Sequence, residues 1–165
     1  MFRFAAAAAL ATIIVSTLPS GALAQDESPF VGTYSGAVRA TSFSGGKDAS
    51  RMSGSVNVTP HAVTRGVFKV EIRLSTMGSS PTASSTGMLQ WSISPGRCGA
   101  RVQFLVPPSE TTPLDVRSGG NAEVIWEGRL PMAGEGNYQL MIYDKGFREQ
   151  DIVGCANLKY NRPKR

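Results

Sequence analysis

Beyond Phe30, apolar side chains recur at every second position in short runs, each closed by Gly, Ser, Pro or Asn. A period of two places alternate side chains on opposite faces of an extended strand. The clearest run is Val67 to Leu74, where Phe68, Val70, Ile72 and Leu74 oppose Val67, Lys69, Glu71 and Arg73. Met52 to Thr59 sets Met52, Gly54, Val56 and Val58 against Ser53, Ser55, Asn57 and Thr59. Leu89 to Ser94 sets Leu89, Trp91 and Ile93 against Gln90, Ser92 and Ser94, then breaks at Pro95-Gly96. The same pattern predicts strands at Val31 to Ala40, Arg101 to Val106 (stopped by Pro107-Pro108), Ala122 to Leu130, Tyr138 to Tyr143 and Ile152 to Lys159. Within Ala122 to Leu130 only Ile125 breaks the alternation, and Ser75 to Gly87 reads as a loop rich in Ser, Thr and Gly. No apolar pattern of helical period persists for roughly ten residues after the leader. The expected fold is therefore all-β: a Greek-key β-sandwich of about eight antiparallel strands, with a small up-and-down β-barrel as the alternative.

The first 24 residues follow a different pattern: Arg3, an apolar run from Ala5 to Leu18, then Pro19-Ser20-Gly21-Ala22-Leu23-Ala24 before Gln25. This is the form of a secretory signal peptide with an Ala-x-Ala cleavage site near Ala24. The run is shorter than the roughly 20 residues a spanning helix needs, so no transmembrane segment is expected in the mature chain. Residues 25–165 are then expected as one exported domain, periplasmic or extracellular, with a short basic tail from about residue 159.

Charge changes this picture little. Lys and Arg number 17 against 12 Asp and Glu, a formal net charge of +5. Arg3 belongs to the leader, and Lys159, Arg162, Lys164 and Arg165 crowd the end of the chain. Such an excess serves solubility, and no nucleic acid is expected as a partner. The 2 cysteines matter more. In an exported chain they point to one disulfide, Cys98–Cys155, and neither stands in the Cys-x-x-Cys spacing of redox or metal work.

The segment Leu89-Gln90-Trp91-Ser92-Ile93-Ser94-Pro95-Gly96-Arg97-Cys98-Gly99, answered by Asp151-Ile152-Val153-Gly154-Cys155-Ala156-Asn157-Leu158, resembles the copper-zinc superoxide dismutase fold and its chordin-type (CHRD-like) relatives. In that family an aromatic-His-aliphatic-His strand leads into a loop cysteine bonded to a Cys-Gly near the C-terminus. The resemblance spans Met52 to Leu158: Met52 to Val58 and Val70 to Leu74 are similar to early strands, and Ser118 to Val124 to the turn and strand after the zinc loop. Ile142-Tyr143-Asp144-Lys145 resembles the strand end that carries a further copper histidine. At the three copper-histidine positions this chain has Ser92, Ser94 and Tyr143, and Arg97 to Gly119 holds no histidine for zinc. Ile152-Val153-Gly154 stand where the family keeps its active-site arginine. Copper dismutation needs several neutral imidazoles around an open redox metal, and neutral hydroxyls bind Cu(II) poorly. The resemblance thus implies the architecture without the metal: no cofactor, no catalytic residue and no dismutase activity. By the same analogy the face bearing Ser92, Ser94 and Tyr143 is the candidate interaction face.

Other candidates weaken on inspection. His61 is the 1 histidine and follows Pro60 in an expected turn. Met52, Met77, Met88, Met132 and Met141 lack the close spacing of a Cu(I) site and read as packing. Trp91 and Trp126 read as core. No Gly-x-Ser-x-Gly elbow or phosphate loop is present. The leading expectation is an exported, non-catalytic module that binds an unknown protein, glycan or envelope component. Two alternatives stay open: a metal-handling or redox protein using His61, Ser92, Ser94 and Tyr143, and a small β-barrel that binds an apolar ligand or inhibits a periplasmic protease. Connectivity separates the folds. A meander favours the up-and-down barrel, and Greek-key crossing with the Cys98 loop pinned to the last strand favours the sandwich.

Overall fold

The computed structural model describes residues 32–41, 51–77, 87–117, 119–132, 134–144 and 146–163. The expected leader 1–24, Val31 of the first expected strand, most of the Ser75–Gly87 loop, Ser118, Lys145 and the last two residues of the basic tail lie outside the described residues.

Eight strands follow in chain order: β1 (Thr33–Ala40), β2 (Arg51–Pro60), β3 (Val67–Met77), β4 (Met88–Pro95), β5 (Leu114–Asp115), β6 (Asn121–Arg129), β7 (Tyr138–Tyr143) and β8 (Ile152–Asn161). All but β5 coincide with runs of alternating sequence. The expected strand at Arg101 to Val106 is a correction. That segment makes only an isolated bridge between Val106 and Ile93, with the Leu105 N–H donating to the Ile93 carbonyl at 2.8 Å. Pro107 and Pro108 have no N–H to extend the ladder, and the edge of β4 is completed by β5, which pairs Leu114 with Leu89.

All strand pairs are antiparallel, in the order β5-β4-β7-β8-β1-β2-β3-β6. The chain runs β1–β2–β3 as neighbours, crosses to β4 and β5, returns to pair β6 with β3, and crosses again to pair β7 with β4. That is Greek-key connectivity and not an up-and-down meander. The two ends of the sheet, β5 and β6, adjoin, and the Arg117 N–H reaches the Asn121 carbonyl at 3.0 Å. The domain is therefore a nearly closed eight-stranded barrel, closer in form to a barrel than to two separate packed sheets.

Alternation fills the inside. Val56, Val58, Val70, Ile72, Trp91, Ile93, Leu140 and Ile142 are all fully buried and leave the interior packed with side chains. Trp91 adds a hydrogen bond from Nε1 to the Thr112 carbonyl at 2.8 Å. Trp126 is only half-buried: it lies edge-on to Trp91, at 5.6 Å between ring centroids, and donates from Nε1 to the Glu110 carbonyl. Ile125, the break in the alternation, is exposed. Tyr34 packs edge-on against Tyr138 and donates its hydroxyl to the Gly134 carbonyl at 2.7 Å. Burial, reinforced by the neighbouring Tyr138 and Tyr160, pushes its ionisation well above the ordinary tyrosine value.

Candidate functional site

On β2 and β3 the outward side chains meet water. On β7 they do not: all six residues of Tyr138–Tyr143 are buried. Tyr138, Leu140 and Ile142 point into the barrel core, which leaves Gln139, Met141 and Tyr143 on the outer face. Register places Ser92 of β4 opposite Met141 and Ser94 opposite Gln139. On the other flank, Cys155 of β8 faces Met141 and Asn157 faces Gln139. A one-residue slip in β8 sets Gly154 against Ile142 but Ile152 against Tyr143. This β-bulge makes Val153 the additional residue, sending it into the core and Ile152 to the outer face.

Two loops cover this outer patch. The first follows β4. Gly96 and Gly99 both take positive φ, +99° and +92°, and turn the chain back over the sheet. Three ties hold it: the Cys98–Cys155 disulfide with Cα atoms 6.0 Å apart, the Cys98 N–H donating to Asn157 Oδ1 at 2.8 Å, and the Gly96 N–H donating to the Asn137 carbonyl at 2.8 Å. It lays Val102 against the outer apolar cluster of Met141, Tyr143, Ile152 and Cys155. The second loop joins β7 to β8 and closes with the Asp144 N–H on the Asp151 carbonyl, while Asp151 Oδ2 accepts from the Arg148 N–H. Each loop sends one aromatic ring onto Tyr143: Phe104 at 6.5 Å and Phe147 at 5.9 Å, both edge-on. These rings are also among the exposed large apolar side chains, at 39% and 47%.

The three residues singled out by the resemblance lie on this one face. Ser92 and Tyr143 touch, with 3.2 Å between hydroxyl oxygens, and the Tyr143 hydroxyl is 3.5 Å from Met141 Sδ. Burial pushes the Tyr143 ionisation up, and the Ser92 contact offsets part of that. Ser94 is one pleat further along, and its Oγ is buried with no hydrogen-bond partner among the described residues. All three are fully buried, so a partner reaches them only through an opening or by displacing a loop.

A cavity of about 150 Å³ lies beside the disulfide, and Ser92, Ser94 and Tyr143 are not among the residues that line it. Gln139, Met141, Ile152 and Cys155 line it from the sheet, and Thr41 from the end of β1. Ala100 and Val102 contribute from the first loop and Glu149 from the second. Gln139 is fully buried and is oriented by Nε2 donating to the Pro95 carbonyl at 3.4 Å. Its Oε1 lies 3.8 Å from Cys155 Sγ, but a disulfide sulfur has no proton to give. Among the described residues the oxygen is thus left without a donor, across the strand pair from the unsatisfied Ser94 hydroxyl. An unmet buried polar atom costs on the order of 1–3 kcal/mol, which a bound molecule or an ordered water relieves.

His61 is elsewhere. It is exposed in the β2–β3 turn, where Nδ1 accepts from the N–H groups of Val63 and Thr64 at 3.4 and 3.3 Å. The methionines scatter as well: Met52 and Met132 lie in the core, Met88 is exposed, and Met141 belongs to the outer cluster. Among the described residues no group of three or more His, Cys, Asp and Glu is placed to hold a metal ion, and no helix is long and apolar enough to cross a membrane. Sequence reading missed Gln139, Met141 and Glu149. The available signal was Tyr138–Tyr143 itself, a strand apolar on both faces except for one glutamine, which is the mark of a strand covered on both sides. The chain matches no protein-family model, and no curated protein or solved structure matches it.

Proposed function

We propose that this chain is an exported, non-catalytic binding module whose ligand enters the cavity on the outer face of β7 and β8. The observation that carries the reading is the covered outer face: two loops and a disulfide roof a patch that a solvent-facing strand would leave open, and the roof stops at a cavity with an unsatisfied buried amide oxygen. A pocket of this kind, apolar with a few convergent polar groups, is the usual form of a small-molecule site. The packed interior speaks against a ligand inside the barrel, so the barrel-binder alternative is favoured only with its site moved to the outside.

The relationship to the dismutase-like and chordin-type fold is part of the same proposal. Greek-key crossing, a cysteine loop pinned to the last strand, and Ser92, Ser94 and Tyr143 on one face support it. In that reading the family's copper positions are closed over as a buried Ser92–Tyr143 contact with Ser94 beside it, the cavity lies next to them, and superoxide chemistry is absent. The disulfide supports an oxidising compartment, periplasmic or extracellular.

Two measurements on the oxidised protein test the reading. Titration with a set of fragment-sized molecules, followed by amide NMR, is expected to move Gln139, Met141, Ile152 and Ala100 together. Elemental analysis after expression with copper and zinc supplied is expected to find neither in stoichiometric amount. A bound metal at one per chain, or fragments that move no residue of this group, would overturn the proposal.

A further inference from the structure

The cavity beside the disulfide is chemically one-sided. Val102, Met141, Ile152 and the Cys155 sulfur give it apolar walls. The Thr41 hydroxyl is committed to the Ile152 carbonyl at 2.6 Å. Its oxygen can still accept, and two further side-chain acceptors stand with it. Gln139 Oε1 is held in place by its own amide nitrogen bonding Pro95 and has only a protonless sulfur beside it. Glu149 is exposed and is the single charged residue among the described residues that line the cavity. Arg101 and Arg148 adjoin lining residues in sequence, but neither lines the cavity.

Acceptors call for donors. A carboxylate or phosphate ligand would set oxygen against oxygen at Gln139 and negative charge against negative charge at Glu149. A cation with hydrogens to donate meets both groups favourably, and an apolar body meets the walls. We infer that the cavity takes a small organic cation: a primary ammonium on an apolar body about the size of a benzene ring, which a cavity of this volume admits. The inference rests on the binding reading of the same cavity and adds the class of its ligand.

The test is three parallel NMR titrations of the oxidised full chain at neutral pH, with benzylammonium, benzyl alcohol and benzoate. Benzylammonium is expected to bind about threefold more tightly than benzyl alcohol, the scale of one partly exposed charge pair, and benzoate to bind least. Added salt narrows that preference. Glu149→Gln, at an exposed position, abolishes the preference without unfolding the barrel. Equal binding of alcohol and ammonium, or a preference that survives in Glu149→Gln, overturns this inference while the binding reading stands. Silence of Gln139, Met141 and Ala100 towards all three probes overturns both.

Discussion

The β2–β3 hairpin and the β4–β7 pair are built from the same alternation and end in opposite conditions. On the hairpin the inner positions Val56, Val58, Val70 and Ile72 are sealed in the core, while Ser53, Ser55, Asn57 and Arg73 face water. On the pair, the inner positions Trp91, Ile93, Leu140 and Ile142 are equally sealed, but so are Ser92, Ser94, Gln139, Met141 and Tyr143 behind them. A hydroxyl costs nothing on a wet face; under a roof it needs a partner. Ser53 and Ser55 are thus ordinary surface residues, whereas Ser92 has Tyr143, and Ser94 and Gln139 Oε1 remain open requests for a donor or acceptor. Covering a second face of a sheet is how this barrel turns spare surface into a lined cavity.

The contrast can be broken most severely from the shared interior. Trp91→Ala should cost about 3–5 kcal/mol, by cavity formation and loss of the Thr112 hydrogen bond, in chemical denaturation monitored by far-UV circular dichroism. Both faces should suffer alike. A cost below about 1 kcal/mol would show that the two layers are not organised around one core.

Removing the disulfide is next in size and should separate the regions. The bridge closes a sequence separation of 57 residues, and Cys98→Ser with Cys155→Ser should lose about 2–4 kcal/mol. Native-state hydrogen exchange should quicken at Gln139, Met141 and Tyr143 and new protease cleavage should appear between Arg97 and Leu105, with Val58 and Val70 still exchanging at the global limit. Uniform loosening of both regions would mean that the loop is not a local roof.

At the level of single polar contacts, Tyr143→Phe should cost about 1 kcal/mol by leaving Ser92 without its partner, and most of that should vanish when Ser92→Ala is already present. The tyrosines also set a pH dependence. Tyr34 and Tyr143 both have folded-state ionisation raised by burial, so the native state holds their protons more tightly than the unfolded chain does. Their stabilising effect is complete below the unfolded value, about pH 10, and is lost as pH rises beyond it. Denaturation midpoints should therefore fall steeply above pH 10, and less steeply in Tyr143→Phe.

The smallest effect belongs to the wet face. Arg73 and Glu123 pair at 2.8 Å across β3 and β6, with side chains 70% and 54% exposed. Arg73→Ala should leave the denaturation midpoint almost where it is, and 1 M salt should erase any difference that remains.

Much of the barrel could be read from alternation because seven of its strands carry an apolar stripe long enough to count, and the chain's own breaks at Pro60, Pro95-Gly96 and Pro107-Pro108 mark the ends. Leu114–Asp115 escaped notice because two residues cannot show a period. Arg101 to Val106 misled for the converse reason. Its Val102, Phe104 and Val106 alternate as in a strand, yet Val102 lies over the outer cluster while Val106 enters the core, so the segment crosses the sheet instead of extending it. Ser92, Ser94 and Tyr143 were reachable through family likeness alone. Gln139 and Glu149 depend on a roof formed by residues distant in sequence, and no local pattern announces a roof.

The bulge at Val153 gives the cavity a dependence on parity. One extra residue in β8 reverses which side chains face outwards for the stretch before it, and that reversal is why Ile152 stands in the cavity wall while Val153 fills the core. Regular pairing through Val153 would instead set Val153 opposite Tyr143 on the outer face and turn Ile152 inward, taking an apolar wall from the cavity with no substitution at a lining position. Which of two adjacent branched side chains faces outward is thus set by the pairing of the strand and not by its composition.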